Sequence, residues 1–185
     1  MTADWITAIS SFATFVVIAA SAVAAIVQLR HMRSGNQIAV MNDIRHRMED
    51  PDFVEAVRFI THEFSQRCSD PGYRRELLRR GSPESQTVNG VGNLFDRAGA
   101  FVKHRMIDPD LSCDLWYVPV VPCWDALAPL IATRRAMLGF RLWEDFEYLV
   151  VLCKRFRKRF PHGTYPKGME GLPLPEPWPE AAKAP

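Results

Sequence analysis

Five histidines and four cysteines are the residue types in this 185-residue chain best suited to metal ligation or nucleophilic chemistry. His31, His46, His62, His104 and His162 never recur at the three- or four-residue step that puts two imidazoles on one helix face. A metal site would have to be assembled from separate elements. Cys68, Cys113, Cys123 and Cys153 are scattered and form no C-x-x-C pair, which reads as small buried hydrophobes kept reduced in a cytosolic setting. For acid–base work the pairings to consider are His62 with Glu63 and Asp96 with His104, meeting across helices. Against them, Asp96 falls on the polar side of an amphipathic pattern, the usual place of a surface or ion-pairing carboxylate. No P-loop, no G-x-G-x-x-G after a strand, no H-E-x-x-H, no G-x-S-x-G and no EF-hand loop occurs. The sequence therefore assigns no catalytic, cofactor-binding or metal-binding residue and no cofactor, and the chain reads as a non-enzyme.

Two basic clusters carry the remaining polar chemistry. Lys154, Arg155, Arg157, Lys158 and Arg159 are flanked by Phe156 and Phe160, a composition that can rest on anionic lipid headgroups. The alternative is a solvated helix end, since Glu144, Asp145 and Glu147 open the same segment and the helix dipole favours that polarity. Arg74, Arg75, Arg79 and Arg80 form the second cluster, balanced locally by Glu76 alone; it either faces phospholipid or pairs with acids elsewhere in the domain. Nucleic acid is a poor partner, because 23 Lys and Arg against 21 Asp and Glu leave a net charge of +2. With 48% hydrophobic residues the chain is not wholly disordered, and its length suits a single domain.

What positions these groups begins with residues 5–29, which contain no charged side chain; as a helix they reach about 37 Å, more than the ~30 Å of bilayer hydrocarbon. A transmembrane anchor over residues 1–30 is the reading adopted. A signal peptide would want a basic start and a shorter apolar core, and a buried core helix is the third alternative. Basic residues follow the span at Arg30, His31 and Arg33, then Arg45 and Arg47, so the positive-inside rule puts the carboxyl side in the cytosol. The expectation is a single-pass protein of the cytoplasmic (inner) membrane with its N-terminus outside. Within the span Thr7, Thr14, Ser21 and Gln28 recur every seven residues, with Ser10, Ser11, Ala24 and Ala25 at intervening steps. Such a small-residue face suits contact with a second helix, through close approach and interhelical hydroxyl bonds. Alternatively each hydroxyl bonds its own helix and faces lipid.

Residues 31–49 read as a juxtamembrane helix or linker with Gly35 as a possible break, and Ile38, Met41, Ile44 and Met48 keep helical spacing. Residues 50–160 read as a cytoplasmic bundle of about five helices. Asp50-Pro51, Asp70-Pro71, Ser82-Pro83 and Asp108-Pro109 each place a capping residue before a proline, the syntax of a helix start. A first helix is expected to run to about Gln66, and a short one to stop at Gly81. A core helix follows with Val88, Val91, Leu94, Phe95, Ala98, Phe101, Val102 and Met106 inward; its Gly90, Gly92 and Gly99 are tolerable where close packing compensates. Pro119 and Pro122 are expected to interrupt the next element, with a buried strand over residues 116–121 as the alternative, and residues 124–138 to form a helix kinked at Pro129. The last helix is expected over residues 139–160, with Trp143, Phe146, Leu149, Val150, Cys153 and Phe156 inward. From 161 to 185 a Pro-rich tail should be extended or disordered, with service as a ligand for another protein as the alternative. The class is all-α.

Several stretches carry a resemblance: Val27-Gln28-Leu29-Arg30 ending the span, Asp52-Phe53 with Ala56, and Leu94-Phe95-Asp96 to Gly99 and Val102 running into Ile107-Asp108. The lone Trp124 and Trp143-Glu144-Asp145-Phe146-Glu147-Tyr148-Leu149 complete it. Over residues 5–152 the chain resembles a bacterial family of small single-pass membrane-anchored helical proteins known as a domain of unknown function, whose members often carry Glu where this chain has Asp96. The resemblance implies this architecture, no catalytic activity and no site residues. The functional expectation is an interaction or regulatory module that binds an unknown protein partner or itself. The alternative is a membrane-tethered enzyme acting on a lipid or phosphorylated metabolite through Asp96, His62 and His104, and the third reading is a membrane-bound nucleic-acid binder.

Overall fold

The computed structural model describes residues 3–79, 81–169 and 171–175, with 3–4, 6–8, 30–31, 33–34 and 36 described by backbone alone. Among the described residues there are seven α-helices and no strand: α1 (Ala3–Met48), α2 (Pro51–His62), α3 (Phe64–Arg67), α4 (Pro71–Leu78), α5 (Pro83–Lys103), α6 (Pro109–Leu138) and α7 (Glu144–Arg159). The all-α class stands, with six helices after α1 rather than about five. The first of these breaks at Glu63, so the expected helix to Gln66 is α2 plus the single turn α3.

Four helix starts follow from local chemistry. Asp50, Asp70 and Asp108 accept the backbone N–H of Asp52, Gly72 and Leu111, Ser82 Oγ accepts that of Ser85, and a proline fills the first turn in each case. Each cap satisfies a donor that the helix itself leaves without a partner.

Helices α5, α6 and α7 form the centre, with α2 packed on α5 and α6. A chain of rings runs through it: Phe53 of α2 meets Phe95 of α5 with centroids at 5.8 Å, Phe95 meets Phe146 of α7 at 5.1 Å, and Phe146 meets Trp124 of α6 at 5.1 Å. Edge and tilted arrangements of this kind suit the ring quadrupoles. All six inward residues expected in the last helix are buried, but that helix starts at Glu144. Gly139, at φ 71°, ends α6 instead of opening α7, and residues 139–143 form the connection. Met106 lies beyond the end of α5 and is exposed, against expectation, because the chain turns through Arg105 at φ 58°.

The largest departure is α6, one helix of 30 residues that runs through Pro119 and Pro122 against expectation and contains Pro129 as expected. Each proline frees the carbonyl four residues back, and those belong to Leu115, Val118 and Asp125, all exposed residues, so the lost bonds fall on the side of the helix open to solvent. The buried stripe of Trp116, Val120, Cys123, Leu127 and Ile131 is untouched. By length and mean hydropathy (1.4) α6 also passes as a membrane span; its burial against α2, α5 and α7 identifies it as the core helix.

Helix α1 is continuous for 46 residues, about 69 Å. Gly35 does not break it. Residues Ile9–Leu29, with mean hydropathy 2.3 and none of them buried, are long and apolar enough to cross a membrane. At the other end Ile44 is fully buried in the core, with Val40, Met41 and Met48 packed against it, while Ile38 is exposed. From Pro161 to Pro175 the described chain is exposed and non-helical; residues 176–185 of the expected tail lie outside the described residues.

Candidate functional site

Several polar side chains converge where α5, α6 and the 139–143 connection meet. Gly92 on α5 is buried because the Trp143 ring lies on it: a Cβ there would come within 2.3 Å of the indole. Trp143 sits at φ 55°, an unusual conformation for a bulky side chain and a store of backbone strain. Its Nε1–H donates to Asn93 Oδ1 at 2.9 Å, and the guanidinium of Arg134 lies 5.8 Å from the ring centroid. One turn further along α5, Asp96 Oδ1 accepts the backbone N–H groups of Asp145 and Phe146 at 3.0 and 3.1 Å, capping α7 from a neighbouring helix. Trp143 supplies no side-chain cap of its own. At Gly99 a Cβ would stand 1.9 Å from the Asp145 carbonyl oxygen. Lys103 then reaches Asp145 at 2.8 Å.

The neighbouring arginines of α6 divide their work. Arg135 donates to the carbonyls of Leu142 and Trp143, pairs with Glu147 at 2.7 Å and lies over the Trp124 ring, so it fastens the connection. Arg134 is buried, at 9% exposure, and donates to Asn89 Oδ1 at 2.6 Å, Leu77 O at 2.8 Å and Ser85 Oγ at 3.1 Å. All three acceptors are neutral, and burial pulls the guanidinium below the usual arginine range. Arg134 lines a cavity of about 390 Å³ together with Ser85, Asn89, Asn93, Trp143 and an apolar rim of Met137, Leu138, Phe140 and Leu142.

The residues singled out from the sequence take other places. Asp96 is committed to the α7 amides, and His104 caps the far end of α5, eight residues and about 12 Å of helix rise away. His62, exposed at the end of α2, bonds Thr61 and the Arg58 carbonyl. Among the described residues no three His, Cys, Asp or Glu groups are placed to hold a metal ion. In the C-terminal basic cluster Lys154 pairs with Asp125 at 2.8 Å, Arg159 pairs with Asp110 and lies over Phe160, and Arg157 lies over Tyr117. Arg155 and Lys158 are exposed. Arg79 pairs with Glu76, and Arg74 and Arg75 flank an apolar groove of about 560 Å³ between α4 and α6; Arg80 lies outside the described residues.

On α1, Ser10, Ser11, Thr14, Ser21, Ala24, Ala25 and Gln28 are all exposed, and the side chain of Thr7 lies outside the described residues. Thr14 Oγ1 donates to Ser10 O at 2.9 Å and Ser21 Oγ to Val17 O at 2.8 Å. Their protons are engaged within α1, so a second helix would meet this face through its small size rather than through these hydroxyl protons.

All four cysteines are free. Cys113 and Cys153 are neighbours across α6 and α7, a proximity the spacing did not reveal; Cys113 and burial push the Cys153 thiol up, and burial alone pushes Cys123 up to about 12. Thiol titration of the native protein with an aromatic disulfide should therefore modify Cys68, the half-buried one, first, and reach the other three only in denaturant. Rapid native modification of all four would contradict this packing.

Sequence reasoning missed Arg134, Asn89 and Asn93. The available signal was the row of Ser85, Asn89, Asn93 and Asp96 at four- and three-residue steps, a polar seam beside the apolar face of α5. No curated protein and no solved structure matches the chain. The model of the family described as Domain of unknown function (DUF4760) matches residues 15–152, from within the apolar segment of α1 through the Asp96–α7 cap and the Arg134 cavity; the chain belongs to that family.

Proposed function

We propose that the chain is a single-pass protein of the cytoplasmic membrane whose helical domain, on the cytosolic side, is a protein-interaction module that self-associates along α1. The observation that carries this reading is Gly35. It lies inside an unbroken helix, exposed and with no neighbouring atom within 4 Å of its Cβ position. It also continues the seven-residue series of Thr7, Thr14, Ser21 and Gln28 beyond the apolar segment. Exposed Met32 and Ile38 flank it, so the stripe that suits a second copy runs from the span into the juxtamembrane rod. Orientation follows from Arg30, Arg33, Arg45 and Arg47 on the carboxyl side of the span. The reading includes no catalytic step, because Asp96 is bonded to the α7 amides and stands apart from His104.

Crosslinking of the full chain in membranes tests it. Ser21→Leu with Ala24→Leu, or Gly35→Leu alone, should reduce the crosslinked dimer about tenfold, the size expected when close backbone approach is lost. Undiminished dimer in both variants would remove α1 as the contact.

A further inference from the structure

We propose that the cavity beside Arg134 binds a small organic monoanion, a carboxylate on an apolar body, with Arg134 as its counter-charge. A buried charge is stable only where something compensates it. Arg134 is 9% exposed, its compensation consists of three neutral hydrogen-bond acceptors and the face of the Trp143 ring, and no described carboxylate pairs with it. Those bonds engage three of its five N–H donors, leaving two.

The cavity wall adds further donors. Trp143 Nε1 can only donate, so the Asn93 atom it meets at 2.9 Å is the oxygen, and the Asn93 NH₂ group remains as a donor at the wall. Charge balance selects the ligand class. Arg134 is the single cation among the described lining residues, so a monoanion is neutralised there, whereas a phosphate monoester would bring a second negative charge with no second cation to balance it. The body of the ligand is set by Leu78, Met137, Leu138, Phe140 and Leu142, an apolar wall in which Met137 and Phe140 are 64% and 58% exposed. A volume of about 390 Å³ lies at the small end of ligand pockets. The strained Trp143 backbone fits this assignment, since strain is retained where the surroundings hold a site in shape.

The test is thermal unfolding of the full chain in lipid nanodiscs, titrated with phenylacetate, hexanoate and indole-3-acetate. Neutral 2-phenylethanol and phenyl phosphate are run as comparisons. At least one carboxylate should raise Tm saturably, the alcohol should not, and phenyl phosphate should bind more weakly than phenylacetate. Arg134→Gln should weaken carboxylate binding about tenfold to hundredfold, the loss of a charge-assisted hydrogen bond. Because that variant removes three bonds and can impair folding, Met137→Trp provides the second reading. Position 137 is exposed, so the added indole should leave the unliganded Tm unchanged while it fills the cavity mouth and weakens binding by about tenfold or more. No saturable rise with any of the three acids, an equal response to the alcohol, tighter binding of phenyl phosphate, or undiminished binding by Met137→Trp would each overturn the proposal.

Discussion

Gly99→Ala is expected to destabilise the domain by about 3 kcal/mol or more, the upper end of overpacking costs, although it improves helix propensity. The new Cβ would stand 1.9 Å from the carbonyl oxygen of Asp145, and a backbone atom cannot rotate away as a side chain can. Relief requires α7 to move off α5, which draws Asp145 and Phe146 away from Asp96 and loosens the Phe95–Phe146 contact at 5.1 Å. Gly90→Ala on the same helix is the matched control. Nothing lies within 4 Å of its Cβ position, so it should stabilise by about 0.5–1 kcal/mol through propensity alone. Gly92→Ala meets the Trp143 ring instead of backbone, and should shift tryptophan fluorescence as well as stability. Urea unfolding of the full chain in micelles, followed by circular dichroism, separates the three. Equal stability of Gly99→Ala and Gly90→Ala would mean that α5 and α7 are further apart than described.

That pair of glycines also shows where sequence reading reaches its end. Helix starts were legible because an Asp or Ser before proline is a local device, complete within four residues. The cost of Gly92 and Gly99 to α5 was legible too, and so was the need for close packing to offset it. Their partner was not, because the indole of Trp143 and the carbonyl of Asp145 are about 50 residues away. Helix α6 is the opposite case. Pro119 and Pro122 read as a local stop, and the stop was overridden by tertiary placement, since the freed carbonyls at Leu115 and Val118 belong to exposed residues.

The cavity was illegible for a related reason. Arg134 and Arg135 are adjacent and chemically identical in sequence, yet one is buried among neutral acceptors and the other pairs with Glu147. Only the fold distinguishes them. Their separation follows from helical geometry: residues one apart point about 100° away from each other, so a basic pair at the end of a core helix sends one guanidinium inward and one to the rim.

Asp96→Ala should lower stability by about 2–3 kcal/mol, comparable to the loss of a charged acceptor bonded to two donors. The first amides of α7 have no acceptor within their own helix, and Trp143 offers none, so removing the carboxylate leaves the Asp145 and Phe146 N–H groups without a partner and removes a negative charge from the positive end of the helix dipole. Asp96→Asn keeps an oxygen acceptor but not the charge, and should recover about half of the loss. Asp96→Glu places its carboxylate one methylene further out and should recover most of it wherever the longer chain can fold back over the same amides. Hydrogen exchange supplies the local reading: protection at Asp145 and Phe146 should fall in Asp96→Ala before protection elsewhere in α7 does. A carboxylate held for catalysis behaves in the opposite sense, since its removal commonly leaves a protein as stable or more so. A stable Asp96→Ala with unchanged exchange at both amides would therefore free Asp96 for the acid–base role with His104 that the present geometry denies it.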